Sequence, residues 1–199
     1  MMRADLRLIA DMVEPGSRVL DVGCGDGALL AYLASTRRVD GRGVELSQAG
    51  VNACVSNGMS VIQGDADTDL SFYPSAAFDY VILSQTLQAT RNPKQVLREL
   101  VRIGQHAIVS FPNFGHWRVR LQLLATGRMP RTGALSYEWF DTPNIHLCTI
   151  TDFMALAHSL GITVERFLTL DPKGRSWSQA RVGRIANLLG EQAIFLLHG

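Results

Sequence analysis

A chain of 199 residues, 47% of them apolar, has the length of one domain and enough hydrophobic material for a sizeable core. Its formal net charge of +1 excludes a general attraction to nucleic acid or anionic lipid, and 19% charged residues point to a sparsely charged surface. Three cysteines, Cys24, Cys54 and Cys148, form no CxxC pair, which excludes a zinc ribbon or a disulfide framework and suits a reducing cytoplasm.

Taken in chain order, Leu6, Ile9, Ala10 and Val13 fall at helical spacing, and Pro15–Gly16 closes that helix. Asp5 and Asp11 interrupt this stretch, so it is no signal peptide, and no apolar run approaches the roughly 20 residues of a membrane span. Arg18 to Val22 reads as a buried strand and Asp26 to Thr36 as the helix after a glycine-rich turn. A second strand, Gly41 to Leu46, leads into a helix capped by Ser47. Ser60 to Gln63 is a third strand and Phe78 to Leu83 a fourth, followed by a helix over Pro93 to Ile103 and a fifth strand over His106 to Phe111. Strands and helices in alternation, with apolar β-branched strands, predict a doubly wound, Rossmann-like parallel sheet covered on both faces.

The pattern then loosens. A helix is predicted over Trp117 to Ala125, but Gly127 to His146 carries Pro, Gly and aromatics without a period. A segment of that length predicts a lid or a partner surface around residues 112–150 of a single domain spanning 1–199. Helix returns over Asp152 to Ser159, strand over Ile162 to Leu170, helix over Ala180 to Leu189 and strand over Ala193 to Leu197.

The chemistry concentrates in the first turn, Gly23-Cys24-Gly25-Asp26-Gly27. Strand, glycine turn and helix together let a ligand approach backbone and helix N-terminus closely. Asp21, two residues before the first glycine, would repel a pyrophosphate and attract an ammonium group. Glu45 at the end of the second strand can accept both hydroxyls of an adenosine ribose, with Leu46 beside it. Asp65 after the third strand can accept from an adenine amino group while Ala66 offers a backbone N–H. Three acids at three successive strand ends select S-adenosylmethionine, or S-adenosylhomocysteine, over a dinucleotide. The expected cofactor contacts are Asp21, Gly23, Cys24, Gly25, Glu45, Leu46, Asp65, Ala66 and Ser84.

On these residues the chain resembles the class I S-adenosylmethionine-dependent methyltransferase superfamily: VLDVGCGDG, GVEL, GDAD and FDYVILSQTL match its first four motifs. The resemblance implies a seven-stranded sheet whose last strand is antiparallel and inserts beside the sixth. It places an acceptor near Ser84-Gln85-Thr86, yet no general base stands there: Gln88 occupies the position where many small-molecule methyltransferases carry a histidine. No Asn/Asp-Pro-Pro-aromatic signature and no metal ligand set is evident. His116, Asp141 and His146 are the remaining candidate bases, with Tyr137 and Trp139 as pocket walls. Cys148 reads as buried packing. Arg118, Arg120, Arg128 and Arg131 form one basic cluster suited to an anion or a protein partner, but without interleaved aromatics they predict no nucleic acid.

Longer stretches, among them RADLRLIADMVEPGSRVLDVGCGDGALL, IVSFPNFGHWRVRLQLLATGRMP and WFDTPNIHLCTITDF, are similar to one narrower family, that of the methionine biosynthesis protein MetW. This resemblance implies association with a MetX-type homoserine O-acyltransferase, as an accessory or regulatory subunit, and establishes no methyl acceptor. The competing expectation is methyl transfer to a small-molecule carboxylate or hydroxyl.

Overall fold

A computed structural model describes residues 3–178 and 183–199. The described elements, in chain order, are α1 (Ala4–Ala10), β1 (Arg18–Val22), α2 (Ala28–Arg37), β2 (Asp40–Glu45), α3 (Gln48–Ser56), β3 (Ser60–Gln63), β4 (Phe78–Ser84) and α4 (Pro93–Ile103). They continue as β5 (Gly104–Pro112), α5 (Trp117–Thr126), α6 (Ile150–Ser159), β6 (Thr163–Leu170), β7 (Ser176–Ser178), α7 (Arg184–Leu189) and β8 (Gln192–His198).

One sheet runs through the chain in the order β3-β2-β1-β4-β5-β8-β6-β7. Strands β1 to β5 are parallel, while β8 is antiparallel to both β5 and β6 between which it lies. The inserted last strand is thus where the motif resemblance puts it. Among the described residues the sheet has one strand more than the expected seven: β7 pairs antiparallel with the end of β6 at the sheet edge. Three residues, Ser-Trp-Ser, are too short to carry a period and so gave no strand signal.

Two apolar layers explain the sequence pattern. Alternate residues of the central strands project to opposite faces. Leu20, Val22, Val81, Leu83, Val109 and Phe111 pack under α4 and α6, and Val19, Tyr80, Ile82 and Ile108 pack under α1 and α2. Phe111, Phe153, Phe167 and Phe195 form an aromatic cluster, with Phe153 and Phe195 centroids 4.4 Å apart. Helix α1 stops at Ala10, before the Pro15–Gly16 pair, and the chain turns through Asp11 to Val13 on two single-turn hydrogen bonds. Helix α3 begins at its Ser47 cap, whose side chain accepts from the Gly50 N–H, and α6 begins with a reciprocal capping box between Thr149 and Asp152. The helix expected over Ala180 to Leu189 is seen from Arg184; residues 180–182 lie outside the described residues.

Residues 128–149 contain no helix or strand. They are tied to the turn that follows β4: the N–H groups of Ile145 and His146 both donate to the Gln88 carbonyl, at 2.9 and 3.0 Å. No helix among the described residues is long and apolar enough to cross a membrane.

Candidate cofactor site

The parallel strands β1, β2, β3 and β4 end on one rim of the sheet, where open α/β folds place ligands. After Val22 the backbone turns sharply, and the N–H groups of Gly23 and Cys24 both donate to the Val44 carbonyl at 2.7 and 3.2 Å, tying the turn to β2. Gly23 has φ +75°, and a Cβ there would lie 2.6 Å from Thr86 Oγ1. Gly25 has φ +57° and faces open space. The first glycine is needed for close packing as well as conformation, and the second only for conformation.

Glu45 holds this turn from the side. Its carboxylate accepts the Gly25 N–H at 2.9 Å through Oε2, and the Ser47 N–H and hydroxyl at 3.0 and 2.9 Å through Oε1. Beside it lies a cavity of roughly 340 Å³, walled by Gly23, Glu45, Leu46, Asp65 and Ala66 from the expected set. Asp67, Gln85, Thr86, Thr90, Arg91 and Pro143 are also on the wall. Thr86 falls in the Ser84–Thr86 stretch read as the acceptor side. Arg91 and Pro143 had no local signal, since only the fold brings them to the rim. A wider groove of roughly 900 Å³ follows the exposed edge of β3, and none of the expected cofactor contacts lines it.

Four expected contacts lie off the cavity wall. Asp21 sits behind the glycine turn, 3% exposed. Burial, and then the nearby Glu45 carboxylate, push its pKa up to about 7 against the smaller pull of Arg3. Cys24 turns inward, its Sγ 4.0 Å from Cys54 Sγ, and burial raises its pKa out of the reactive range. Both its backbone polar groups are used inside the chain, the N–H on Val44 and the carbonyl by Gly27. Gly25 gives its N–H to Glu45. Ser84 shares a hydrogen bond with Ser110 at 3.2 Å.

Asp65 is on the wall but already engaged. It accepts the Asp67 N–H at 2.9 Å through Oδ1 and pairs with the Arg91 guanidinium through Oδ2. Asp67 in turn accepts the N–H groups of Arg91 and Asn92, each at 2.8 Å. The amino terminus closes the rim from the far side. Arg3 pairs with Asp5 at 2.9 Å and Gln85 Nε2 donates to Asp5 at 3.0 Å. The sequence offered Asp5 only as a charge that argues against a signal peptide, and gave no sign that Arg3 and Asp5 would stand at this rim.

The candidate bases do not converge on this cavity. His116 is 1% exposed, its Nδ1 meets no partner, and burial followed by the Arg118 charge holds its pKa below the usual histidine range. His146 Nε2 lies 3.4 Å from the Arg91 carbonyl, and Asp141 closes a turn by donating its N–H to Glu138. Gln88 is buried, with Nε2 donating to the Pro112 carbonyl and to Cys148 Sγ, both at 3.1 Å. Burial pushes the Cys148 thiol up to about 11. Tyr137 and Trp139 do line a cavity, a separate one of roughly 300 Å³ with Met129, Leu135 and Ile145.

The arrangement suits a small ligand that carries a positive charge. Asp21 is a buried carboxylate close to the Glu45 carboxylate, and a neighbouring cation would stabilise its charged form. The glycine turn leaves open space at Gly25, and the adjoining cavity has the size of a small-ligand site.

The family described as "Methionine biosynthesis protein MetW" matches residues 3–197. The chain is 36% identical over 173 residues to the "Bifunctional methionine biosynthesis protein MetXA/MetW" of Rhodopirellula baltica, covering 82% of this chain and 28% of that protein. It is 43% identical over 72 residues to the "Fatty-acid O-methyltransferase" of Mycolicibacterium smegmatis, covering 34% of this chain and 26% of that one. The chain therefore spans less than a third of the length of these two curated relatives. Among solved structures it is similar to an S-adenosylmethionine-dependent methyltransferase from Mesorhizobium loti, with a TM-score of 0.71, 15% identity and 98% of each chain covered. At that identity the likeness is one of fold: the class I methyltransferase fold.

Proposed function

The chain belongs to the family of methionine biosynthesis protein MetW, and from that premise we propose that it binds S-adenosylmethionine and serves a MetX-type homoserine O-acyltransferase as an accessory or regulatory subunit. The single observation that carries this reading is the Rhodopirellula relative, in which a region similar to this chain shares one polypeptide with a region named MetXA. Chains that act together gain effective concentration from such a link.

Residues with cofactor roles are Asp21 for an ammonium group, Glu45 for ribose hydroxyls, and Ala66 with Asp65 for the base, around the turn from Gly23 to Gly25, with Leu46 and Ser84 flanking. When bound, the cofactor supplies a transferable methyl on a sulfonium. Three features favour sensing over spending it: Gln88 is committed to structural hydrogen bonds, His116 is buried outside the cavity, and the wall carboxylates Glu45, Asp65 and Asp67 are all engaged by backbone N–H groups or Arg91. S-adenosylmethionine lies downstream of methionine, so its binding supplies feedback wherever the two states of the complex differ in affinity for it.

The segment 112–150 is the proposed lid and docking surface. Leu124, Trp139 and Phe140 are 85%, 71% and 65% exposed, so the segment offers large apolar side chains to a partner. The arginines contribute less than the sequence promised: Arg120 is tied to the Gly115 carbonyl and Arg131 to Glu138, while Arg118 stacks on Trp117. Co-purification with the acyltransferase, and acyl transfer to homoserine measured with and without this chain and the cofactor, test the proposal. An acyltransferase equally active alone, with no complex formed, overturns it.

A second reading, methyl transfer to a small-molecule carboxylate or hydroxyl, is favoured by the 72-residue similarity to the fatty-acid O-methyltransferase. Methyl transfer from labelled cofactor to a cell extract, abolished in Gly23→Arg, supports that reading; no labelled product removes it.

A further inference from the structure

At the opposite end of the sheet from the cofactor cavity, three adjacent strands bring together His106, Glu165 and His198. His106 lies near the start of β5 and His198 at the end of β8, one position beyond the Ala107–Leu197 pair, so the two histidines stand across from each other on one face. Glu165 comes from β6, where the pairing with β8 shifts register between Val164 and Arg166, making Glu165 the extra residue of a bulge. Bulges re-aim a side chain. Here the Glu165 carboxylate meets His106 Nδ1 at 3.0 Å. One ligand atom from each of the three residues lies within 4.8 Å of the other two, and no other such trio of His, Cys, Asp or Glu occurs among the described residues.

We propose that His106, Glu165 and His198 bind one divalent transition-metal ion of the zinc class. The donor set is two imidazoles and one carboxylate, which suits borderline ions such as zinc, nickel or copper over magnesium or calcium. Three protein ligands leave a fourth position for water. The orienting contacts that metal-binding imidazoles need are also in place. His198 Nδ1 donates to the Gln105 carbonyl at 2.9 Å, which leaves Nε2 as the acceptor. The His106 ring stacks on Tyr80, centroids 5.3 Å apart, which restricts its rotation. All three ligands sit on paired strands, so the site is held by backbone hydrogen bonds instead of by a loop. Because the ion would clasp β5, β8 and β6, its role is to staple the strands that follow the parallel half of the sheet, and it needs nothing from the cofactor cavity.

The test uses the untagged chain, ZnCl₂ as probe and MgCl₂ as control. Calorimetry is expected to give one zinc per chain, and a zinc concentration about a hundredfold above Kd is expected to raise Tm by about 5–10 °C. His106→Ala, His198→Ala and Glu165→Gln should each weaken binding about tenfold or more. Glu165→Gln keeps the size of the side chain and guards against a folding artefact, as does checking that each variant melts cooperatively without metal. Cobalt substituted for zinc should show a visible spectrum without thiolate charge-transfer bands, which separates this site from the cysteines. Absence of zinc binding by the wild-type chain overturns the proposal, as does equal binding by the His106→Ala/His198→Ala double variant or a thiolate spectrum. MgCl₂ binding with the same affinity as ZnCl₂ overturns the choice of ion.

Discussion

Replacing Asp21 with Asn tests the cofactor site where its electrostatics are most unusual. Asp21 is buried and its pKa is raised from the ordinary 3.8 to about 7, first by burial and then by Glu45. Between those values the unfolded chain has released a proton that the folded chain still holds, so stability falls as pH rises from about 4 through 7 and is best below that window. The full displacement corresponds to about 4 kcal/mol at pH 8, as an order of magnitude. Asp21→Asn removes the charge, so its Tm should decline less than the wild type's over that range. Ligand binding should move the other way. An ammonium group favours the ionised carboxylate, whose population rises from about one-tenth at pH 6 to about nine-tenths at pH 8. Calorimetric titration with S-adenosylhomocysteine, which keeps the amino group, should therefore show Kd tightening about tenfold from pH 6 to pH 8 in the wild type. The Asn variant should bind more weakly at pH 8 and lose most of that slope. An Asn variant with wild-type affinity and the same slope would refute the assignment of Asp21 to the ammonium group.

Glu45→Ala should weaken S-adenosylhomocysteine binding by about 1–3 kcal/mol, read by calorimetry, because it removes charge-assisted bonds and frees the Gly25 N–H. Gly23→Ala should cost about 1–2 kcal/mol from its positive φ alone and more from the contact with Thr86, lowering Tm and abolishing ligand binding. Adding Thr86→Ala should recover the contact's share of the Tm loss and not the share due to φ. Leu124→Asp with Trp139→Ala should leave Tm and cofactor affinity unchanged while weakening the acyltransferase complex at least tenfold in a pull-down titration, since both side chains are exposed in the isolated chain.

The sheet was legible because its strands are short apolar runs bounded by turn residues: Arg18–Val22 and Ser60–Gln63 have the predicted limits, and α4 spans Pro93–Ile103 as expected. The glycine turn was legible for the same local reason. What sequence could not supply were contacts between distant segments. Arg91 pairs with Asp65 and Pro143 reaches the cavity only because β4's outgoing turn and the irregular segment meet at the rim. His106, Glu165 and His198 are scattered over the second half of the chain, and β-pairing with a bulge makes them neighbours. Side-chain direction was equally hidden: Cys24 sits inside the motif, yet its thiol faces Cys54.

Gln88 shows how the cavity and the proposed docking segment can be coupled. Its carbonyl receives the N–H groups of Ile145 and His146, and its amide reaches the Pro112 carbonyl and the Cys148 thiol. One buried residue thus fastens both ends of the segment whose Pro143 walls the cavity and whose neighbours Trp139 and Phe140 are exposed. A ligand in the cavity would touch Pro143 directly and stabilise whichever position of the segment fits around it, which is the differential affinity that regulation requires. Hydrogen exchange reads this coupling without the partner present. Saturating S-adenosylhomocysteine should slow exchange of the Ile145 and His146 amides, because opening them would require lifting Pro143 off the ligand. Gln88→Ala leaves the carbonyl acceptor but loses the bonds to Pro112 and Cys148, so the protection should shrink while the contacts of Glu45 remain. Ligand binding that leaves those two amides exchanging at the free rate would show that the cavity and the segment move independently, and the sensor would then need another route to its partner.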